Sequence, residues 1–275
     1  MVTKKQHNSS PKVSVIISTY NWTEALYVVV RSFFVQTYRP HEIIIADDGS
    51  REDTRDMIEL LRTQSPIPIV HVWQEDDGYR KAKITNKAIA KATGDYLVLV
   101  DGDCIVKRHF VADHLSIAKP NGFVCGRRIL LSPEMSEKTL AAKRLIPWEG
   151  ILPPSFRIFS NTMRSKLIRK LFAKFYGKKG VSHALGCNLS FWRDDLIKVN
   201  GYNEAYEGWG AEDFDIIIRL LKSGVEKSCL KGGGVVYHLH HESFSTERLD
   251  INTKLLEEQM ASTSYRADLG VDQYL

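Results

Sequence analysis

The 275-residue sequence predicts an α/β protein with a Rossmann-like, mainly parallel central sheet flanked by helices. Three observations carry that expectation. Strand-like and helix-like segments alternate from Lys12 to Asp101, which requires βαβ crossovers. The run Tyr96-Leu97-Val98-Leu99-Val100 has no polar face, as in a strand buried on both sides of a parallel sheet. Each strand then ends in small or acidic residues, at the edge where such sheets bind ligands.

Taken in order, Val13 to Ser18 is a short apolar strand, and Trp22 to Gln36 carries apolar residues at helical spacing. Glu42 to Asp47 is the second strand, and a polar helix follows from Glu52 to Arg62. Pro68 to Trp73 is the third strand, Arg80 to Lys91 is helical, and Tyr96 to Asp101 closes the unit. Further on, a core strand is expected near Phe123 to Ile129. Another should follow at Gly186 to Trp192, with a helix start at Arg193. A largely buried helix should begin near Ala211, its apolar set being Phe214, Ile216, Ile217, Ile218, Leu220 and Leu221. Val235 to His241 reads as a late strand.

Composition excludes several classes. A hydrophobic content of 43% supports a substantial core, and no apolar run approaches the roughly 20 residues that span a bilayer. The first ten residues are polar, so no secretory signal is expected. Cys104, Cys125, Cys187 and Cys229 show no CxxC spacing, which fits reduced thiols in a cytoplasmic protein. A net charge of +5 without a recognition motif gives no reason to expect nucleic acid as a partner.

The strand ends carry the chemistry. Asp101-Gly102-Asp103 sets two hard carboxylates at the crevice, which suits Mg²⁺ or Mn²⁺ and, through the ion, a diphosphate; an ordinary Asp-Gly turn is the alternative. Thr19-Tyr20-Asn21, Asp47-Asp48 and Asp76-Asp77 end the other strands. Helix capping explains any one of them, but six aspartates on one edge repel unless a cation or donors offset them. No GxGxxG follows the first strand and no GxxxxGK[ST] occurs, which disfavours dinucleotide and P-loop binding.

Ser14-Val15-Ile16-Ile17-Ser18-Thr19-Tyr20-Asn21, Ala46-Asp47-Asp48-Gly49-Ser50 and Asp101-Gly102-Asp103, in that order, resemble the family 2 glycosyltransferases of GT-A fold. Gly208-Trp209-Gly210-Ala211-Glu212-Asp213-Phe214-Asp215 resembles the acceptor motif of β-1,4-galactosyltransferases and bacterial chondroitin-type polymerases. The resemblance runs from about Lys12 to about Phe244. It implies a GT-A fold and an inverting, metal-dependent transfer of a hexose or N-acetylhexosamine from a UDP-sugar. The acceptor would be a glycan or lipid-linked glycan of surface polysaccharide synthesis.

It also implies roles. Thr19, Tyr20, Asn21, Asp47 and Asp48 would hold uridine. Arg80 and Lys83, one turn apart, would meet the diphosphate, with Asp77 and Gly102 completing the donor site. Lys83 could equally belong to a solvated basic face with Lys81, Lys87 and Lys91. Asp101 would approach the ribose and a metal-bound water, and Asp103 would ligate Mn²⁺ or Mg²⁺. Trp209, Gly210 and Glu212 would bind acceptor, with Asp213 as general base and Glu212 as its rival. His238 and His240, on one side of a strand, would add metal ligands; His241 could turn inward only if the strand ends there. The division implied is a disordered 1–11, a nucleotide-sugar-binding half over 12–130, a basic amphipathic insertion over 131–182, an acceptor half over 183–246 and a C-terminal helix or tail over 247–275. Two rivals remain: a sugar-1-phosphate nucleotidyltransferase, which needs a glycine- and arginine-rich loop where Ser18-Thr19-Tyr20-Asn21-Trp22 stands, and a non-enzymatic glycan-binding module.

Ser132 to Gly180 departs from the family pattern, with eleven Lys or Arg against three Glu. Helical spacing over Met163 to Tyr176 groups Met163, Leu167, Ile168, Leu171, Phe172 and Phe175, with Arg164, Lys166, Arg169, Lys170 and Lys174 around them. Such a helix either packs on the core with a basic face in water or lies on an anionic membrane surface, as a lipid-linked acceptor would require. A cytoplasmic protein, peripheral on the inner face of the membrane in the second case, is expected.

Overall fold

The computed structural model describes residues 10–144, 164–176, 185–242 and 245–275. Nearly all of the N-terminus expected to be disordered lies outside the described residues. So do 145–163 and 177–184 of the basic insertion, Phe244, and the side chains of Lys174, Phe175 and Tyr176.

The alternation is present: β1 (Val13–Thr19), α1 (Thr23–Phe34), β2 (Glu42–Asp47), α2 (Glu52–Gln64), β3 (Ile69–Trp73), α3 (Lys81–Lys91) and β4 (Tyr96–Asp101). β5 (Cys104–Val106), α4 (Phe110–Leu115), β6 (Gly122–Cys125), β7 (Arg127–Leu130), α5 (Pro133–Ala141) and α6 (Lys166–Tyr176) follow. β8 (Asn188–Trp192), α7 (Arg193–Lys198), α8 (Glu212–Lys222), β9 (Glu226–Cys229), β10 (Val235–His238) and α9 (Leu249–Ala261) complete the set.

The main sheet has seven strands in the order β3-β2-β1-β4-β8-β6-β9. All its pairings are parallel except those of β8, which runs antiparallel to β4 and β6. Alternation along the buried strands feeds two layers. Val13, Val15 and Ile17 pack with α1, whereas Ile16, Ile44, Leu97 and Leu99 pack with α3 and α8. Burying both faces explains the unbroken apolar runs.

The strand expected over Phe123 to Ile129 is two strands in two sheets. Gly126 is the break, because a Cβ there would lie 2.2 Å from the Asn188 side chain. Asn188 Nδ2 donates to the carbonyls of Arg127 (2.8 Å) and Gly234 (2.9 Å), tying β7 and β10 to β8. β5, β10 and β7 form a separate three-stranded sheet over the ligand edge. Its strand β10 ends at His238, and one further bond in the same register, from the Leu239 N–H to the Asp103 carbonyl (2.9 Å), holds that end beside Asp103.

α8 is buried as expected, save that Phe214 is 39% exposed. It carries a fully buried ion pair: Arg219 Nε donates to Asp215 (2.7 Å) and Nη1 to the Val199 carbonyl (2.7 Å). Asp215→Ala would leave that guanidinium buried and unpaired, so a loss of about 3–5 kcal/mol is expected in urea unfolding. A loss under about 1 kcal/mol would mean that water reaches the pair.

Candidate active site

A cleft of about 770 Å³ opens over the carboxyl ends of β1 and β4. The loop around Trp209 and Gly210 forms one wall and α9 another, through Leu249, Thr253 and Leu256. The Asp101-Gly102-Asp103 turn forms its floor. Gly102 N–H donates to the Ser18 carbonyl (2.7 Å), and a Cβ on Gly102 would sit 2.8 Å from that oxygen, so only glycine lets the turn lie against β1. Ser18 Oγ donates to Asp101 Oδ1 at 2.9 Å.

At one end stands Asp103. Its Oδ2 is 3.4 Å from His238 Nε2 and 3.2 Å from His241 Nε2, while Oδ1 is buried without a hydrogen-bond partner. His238 Nδ1 faces the Leu239 carbonyl at 2.8 Å and His241 Nδ1 faces that of Glu242. A carbonyl only accepts, so each Nδ1 carries a hydrogen and each ring directs its Nε2 at the carboxylate. Lone pairs facing lone pairs need a proton or a cation between them. Burial pushes the Asp103 carboxyl up, but the bond from His241 and the charge of His238 outweigh it and hold it below its usual range. The bond to Asp103 raises His241. One carboxylate and two imidazoles form a donor set that could hold a divalent transition-metal ion, and imidazole is a poor match for Mg²⁺. Cys104 Sγ also approaches, within 4.8 Å of the ligand atoms of Asp103 and His238, but is the softer donor.

The histidine expectation is corrected in part. His240 is exposed and only its backbone N–H is engaged, by Ser136 Oγ at 2.8 Å. The reason is the early end of β10 at His238, which breaks the two-residue alternation and turns His241 inward instead.

At the other end, Lys81 Nζ lies 2.9 Å from Asp101 Oδ1, 3.8 Å from Asp213 Oδ2 and 3.9 Å from Glu212 Oε1. Burial lifts the Asp213 carboxyl above its usual value, with Lys81 opposing and the Asp101 charge adding. Burial and the Asp213 charge push Glu212 up to about 7. Lys81 is itself buried, which works against its charge. The carboxylates of Asp101 and Asp213 outweigh this and keep it protonated. Tyr202 OH donates to Asp213 Oδ1 at 3.3 Å. Asp213 lies against Gly186, where a Cβ would come within 1.6 Å of Oδ2. Ala211, ahead of the two acids, sits in the left-handed region at φ 74°, a strain on the order of 1 kcal/mol at the start of α8.

The donor-side residues divide. Thr19, Tyr20 and Asp48 face the cleft. Asp48 Oδ1 accepts from Gln74 (2.6 Å) and Oδ2 from the Arg80 N–H (2.8 Å), and burial lifts its carboxyl to about 6. Asn21 and Asp47 stand behind. Asn21 Oδ1 accepts from the Arg51 N–H (2.9 Å), and Asp47 accepts from the Ser50 N–H (2.8 Å) and pairs with His71 Nε2 (2.9 Å).

The pairing of Arg80 with Lys83 is overturned. α3 begins at Lys81, so Arg80 is its non-helical N-cap, at φ −124° and ψ 40°, and the two are not on one face. Arg80 pairs with Asp77 (2.9 Å) and Glu207, and neither Arg80 nor Asp77 lines the cleft. Lys83 is exposed. Lys81 takes their place in the cleft. Placing the helix start one residue later would have found it.

With this geometry in view, comparison with known proteins is informative. Residues 14–199 match glycosyl transferase family 2. The chain belongs to that family. Residues 168–242 also match the N-terminal domain of galactosyltransferase. Chondroitin synthase from Pasteurella multocida is 24% identical over 256 residues, covering 85% of this chain and 25% of that protein. The matches to the first curated relatives span only 30%, 25% and 34% of those proteins' lengths. Among solved structures, the mannosyltransferase PcManGT from Pyrobaculum calidifontis, in complex with GDP-Man and Mn²⁺, superposes with TM-score 0.61 at 19% identity, covering 92% of this chain and 64% of that one. S. aureus TarS 1–349 with UDP gives TM-score 0.63 at 17% identity, covering 96% and 68%. The fold is GT-A, as the resemblance implied.

The raised acids set a pH dependence. Glu212 moves from 4.5 to about 7 and Asp48 from 3.8 to about 6, so the folded state keeps protons that the unfolded chain has released. These groups therefore lower stability as pH rises from about 4 to about 7. In metal-free protein, the decline in urea midpoint over that range should be shallower for Glu212→Gln. An identical slope in variant and parent would show that folding leaves the proton affinity of Glu212 unchanged.

Proposed function

We propose that this family 2 chain transfers a hexose or N-acetylhexosamine, with inversion, from a UDP-sugar to a hydroxyl of a glycan or lipid-linked glycan. The single observation behind the reading is that one cleft holds both clusters: Asp103 with His238 and His241 at one end, Asp213 with Glu212 and Lys81 at the other. The Mn²⁺ of the Pyrobaculum enzyme and the UDP of TarS support the assignment of ion and nucleotide. The galactosyltransferase match over 168–242 supports the acceptor half.

Asp103, His238 and His241 would hold a divalent ion. When bound, it stabilises the charge on the departing diphosphate as a Lewis acid. The chain's own residues do the rest. Tyr20 and Thr19 flank the nucleoside, and Asp48, held by Gln74 and Arg80, takes its polar edge. Trp209 stacks on a pyranose of the acceptor, and Gly210 lets backbone approach it. Asp213 takes the acceptor hydroxyl's proton as that oxygen attacks the anomeric carbon. Burial makes it a stronger base, and Tyr202 keeps one oxygen occupied so that the other faces the acceptor. Lys81, between Asp101 and the base, holds the carboxylates together and offers a donor to the sugar hydroxyls. Glu212 binds acceptor hydroxyls. One base with no nucleophilic carboxylate amounts to a single displacement, hence inversion.

UDP release from a panel of UDP-sugars with Mn²⁺ and soluble glycan acceptors tests the reading. A nucleotidyltransferase would instead form pyrophosphate, and a binding module would release nothing. Asp213→Asn should lower turnover by about 10²-fold or more with little change in UDP-sugar affinity. Near-normal kcat in Asp213→Asn with loss in Glu212→Gln would exchange the two roles. His241→Ala should raise the Mn²⁺ requirement far above that of His240→Ala, measured by metal titration of UDP release. Equal responses would assign the histidines to structure. Asp103→Ala should abolish transfer in a folded protein.

A further inference from the structure

The helix α6 has an outward face that the transfer reaction does not use. Its inward side is fixed by the protein. Arg169 is buried, donating from Nη1 to the Gly232 carbonyl at 2.7 Å and pairing with Asp113 at 3.2 Å. Ile168 lies against Gly232, Ala173 is buried, and Phe172 lies under the ammonium of Lys231 at 4.3 Å. The apolar residues therefore do not form one face, as helical spacing alone suggested. Ile168 and Phe172 turn in, while Leu167 and Leu171, one turn apart, turn out and are 69% and 47% exposed. Lys166 and Lys170, also one turn apart and exposed, run beside them.

The surrounding charge has one sign. From residue 150 to 193 the sequence holds nine Lys or Arg and no Asp or Glu. The Asp113 carboxylate nearest the helix is buried and consumed by Arg169 and by Arg164 at 2.9 Å. Two leucines exposed together resist a purely electrostatic partner, and two lysines beside them resist an apolar one. An anionic bilayer satisfies both: acyl chains take the leucines and headgroups the lysines.

We infer that the Lys166, Leu167, Lys170 and Leu171 face of α6 docks the protein on an anionic lipid surface. The inference rests on the proposed lipid-linked acceptor for its purpose, and its test reads binding rather than transfer. The full chain is sedimented with vesicles of phosphatidylcholine alone and of phosphatidylcholine mixed with phosphatidylglycerol. Binding is expected only to the mixed vesicles and should weaken with salt. Lys166→Glu with Lys170→Glu should reduce partitioning by about 30-fold or more. Leu167→Ser with Leu171→Ser should also reduce it while leaving every charge in place. UDP release on a soluble acceptor should be unchanged in both variants, which shows them folded. A parent that does not sediment with the mixed vesicles overturns the proposal. So does a leucine variant that binds as the parent does, which would show that the leucines do not enter the bilayer. Vesicle binding without UDP release would support the docking face and sink the transfer reading.

Discussion

Three carboxylates share one buried space with one ammonium. Asp101, Glu212 and Asp213 surround Lys81, so full ionisation would leave an excess of two negative charges at low dielectric. The protein resolves this by making two of the acids harder to ionise, not by adding cations. That choice leaves a base with raised proton affinity where an acceptor hydroxyl would enter. It also ties the turn at Asp101 to α3, so the cleft floor and the start of α8 are joined through the single side chain of Lys81. A substrate entering this space meets a field already set by the folded chain, which is the condition for electrostatic preorganisation.

The other end of the cleft depends on the join between the two sheets. Asn188 opens the interior strand β8 of the main sheet and holds both β7 and the start of β10 through one amide group. Its carbonyl oxygen faces His114 Nε2 at 2.9 Å, so the whole side chain is committed. Because β10 is fixed there, its end falls beside the Asp101-Gly102-Asp103 turn and brings His238 and His241 to Asp103. The meeting of Asp103, His238 and His241 is thus a product of sheet geometry acting over long sequence distances. They come from the β4–β5 turn, β10 and the loop beyond it, and Gly126 is where the chain passes from the main sheet to the sheet that holds β10.

Much of this was legible in the sequence, and the misses have physical causes. Strands buried on both faces announce themselves as unbroken apolar runs, with Asp103 in the motif at one strand end and Trp209, Glu212 and Asp213 in the loop-to-helix motif over 208–215. Lys81 was passed over because helix starts are read to within a residue or two, and one residue turns a side chain by about 100°. The exchange of His240 for His241 has the same character. It depends on where β10 stops, beside Asp103, which Leu239 bonds from 136 positions further along the chain. Gly126 gave no local sign of a sheet change, because what excludes a side chain there is Asn188. Arg169 reads as one of several surface cations, yet its partner Asp113 makes it a core residue.

Gly186 carries a meaning of a different kind. With Asp213 Oδ2 only 1.6 Å from where a Cβ would stand, even alanine at 186 must displace the carboxylate. The position is therefore a marker that can be read without kinetics. A chain of this architecture with any side chain at 186 cannot keep its acid in the same place, and would have lost or rebuilt the proposed base site. A duplicated copy kept only for binding or scaffolding would be free of that restriction, so a single hydrogen atom separates the two fates.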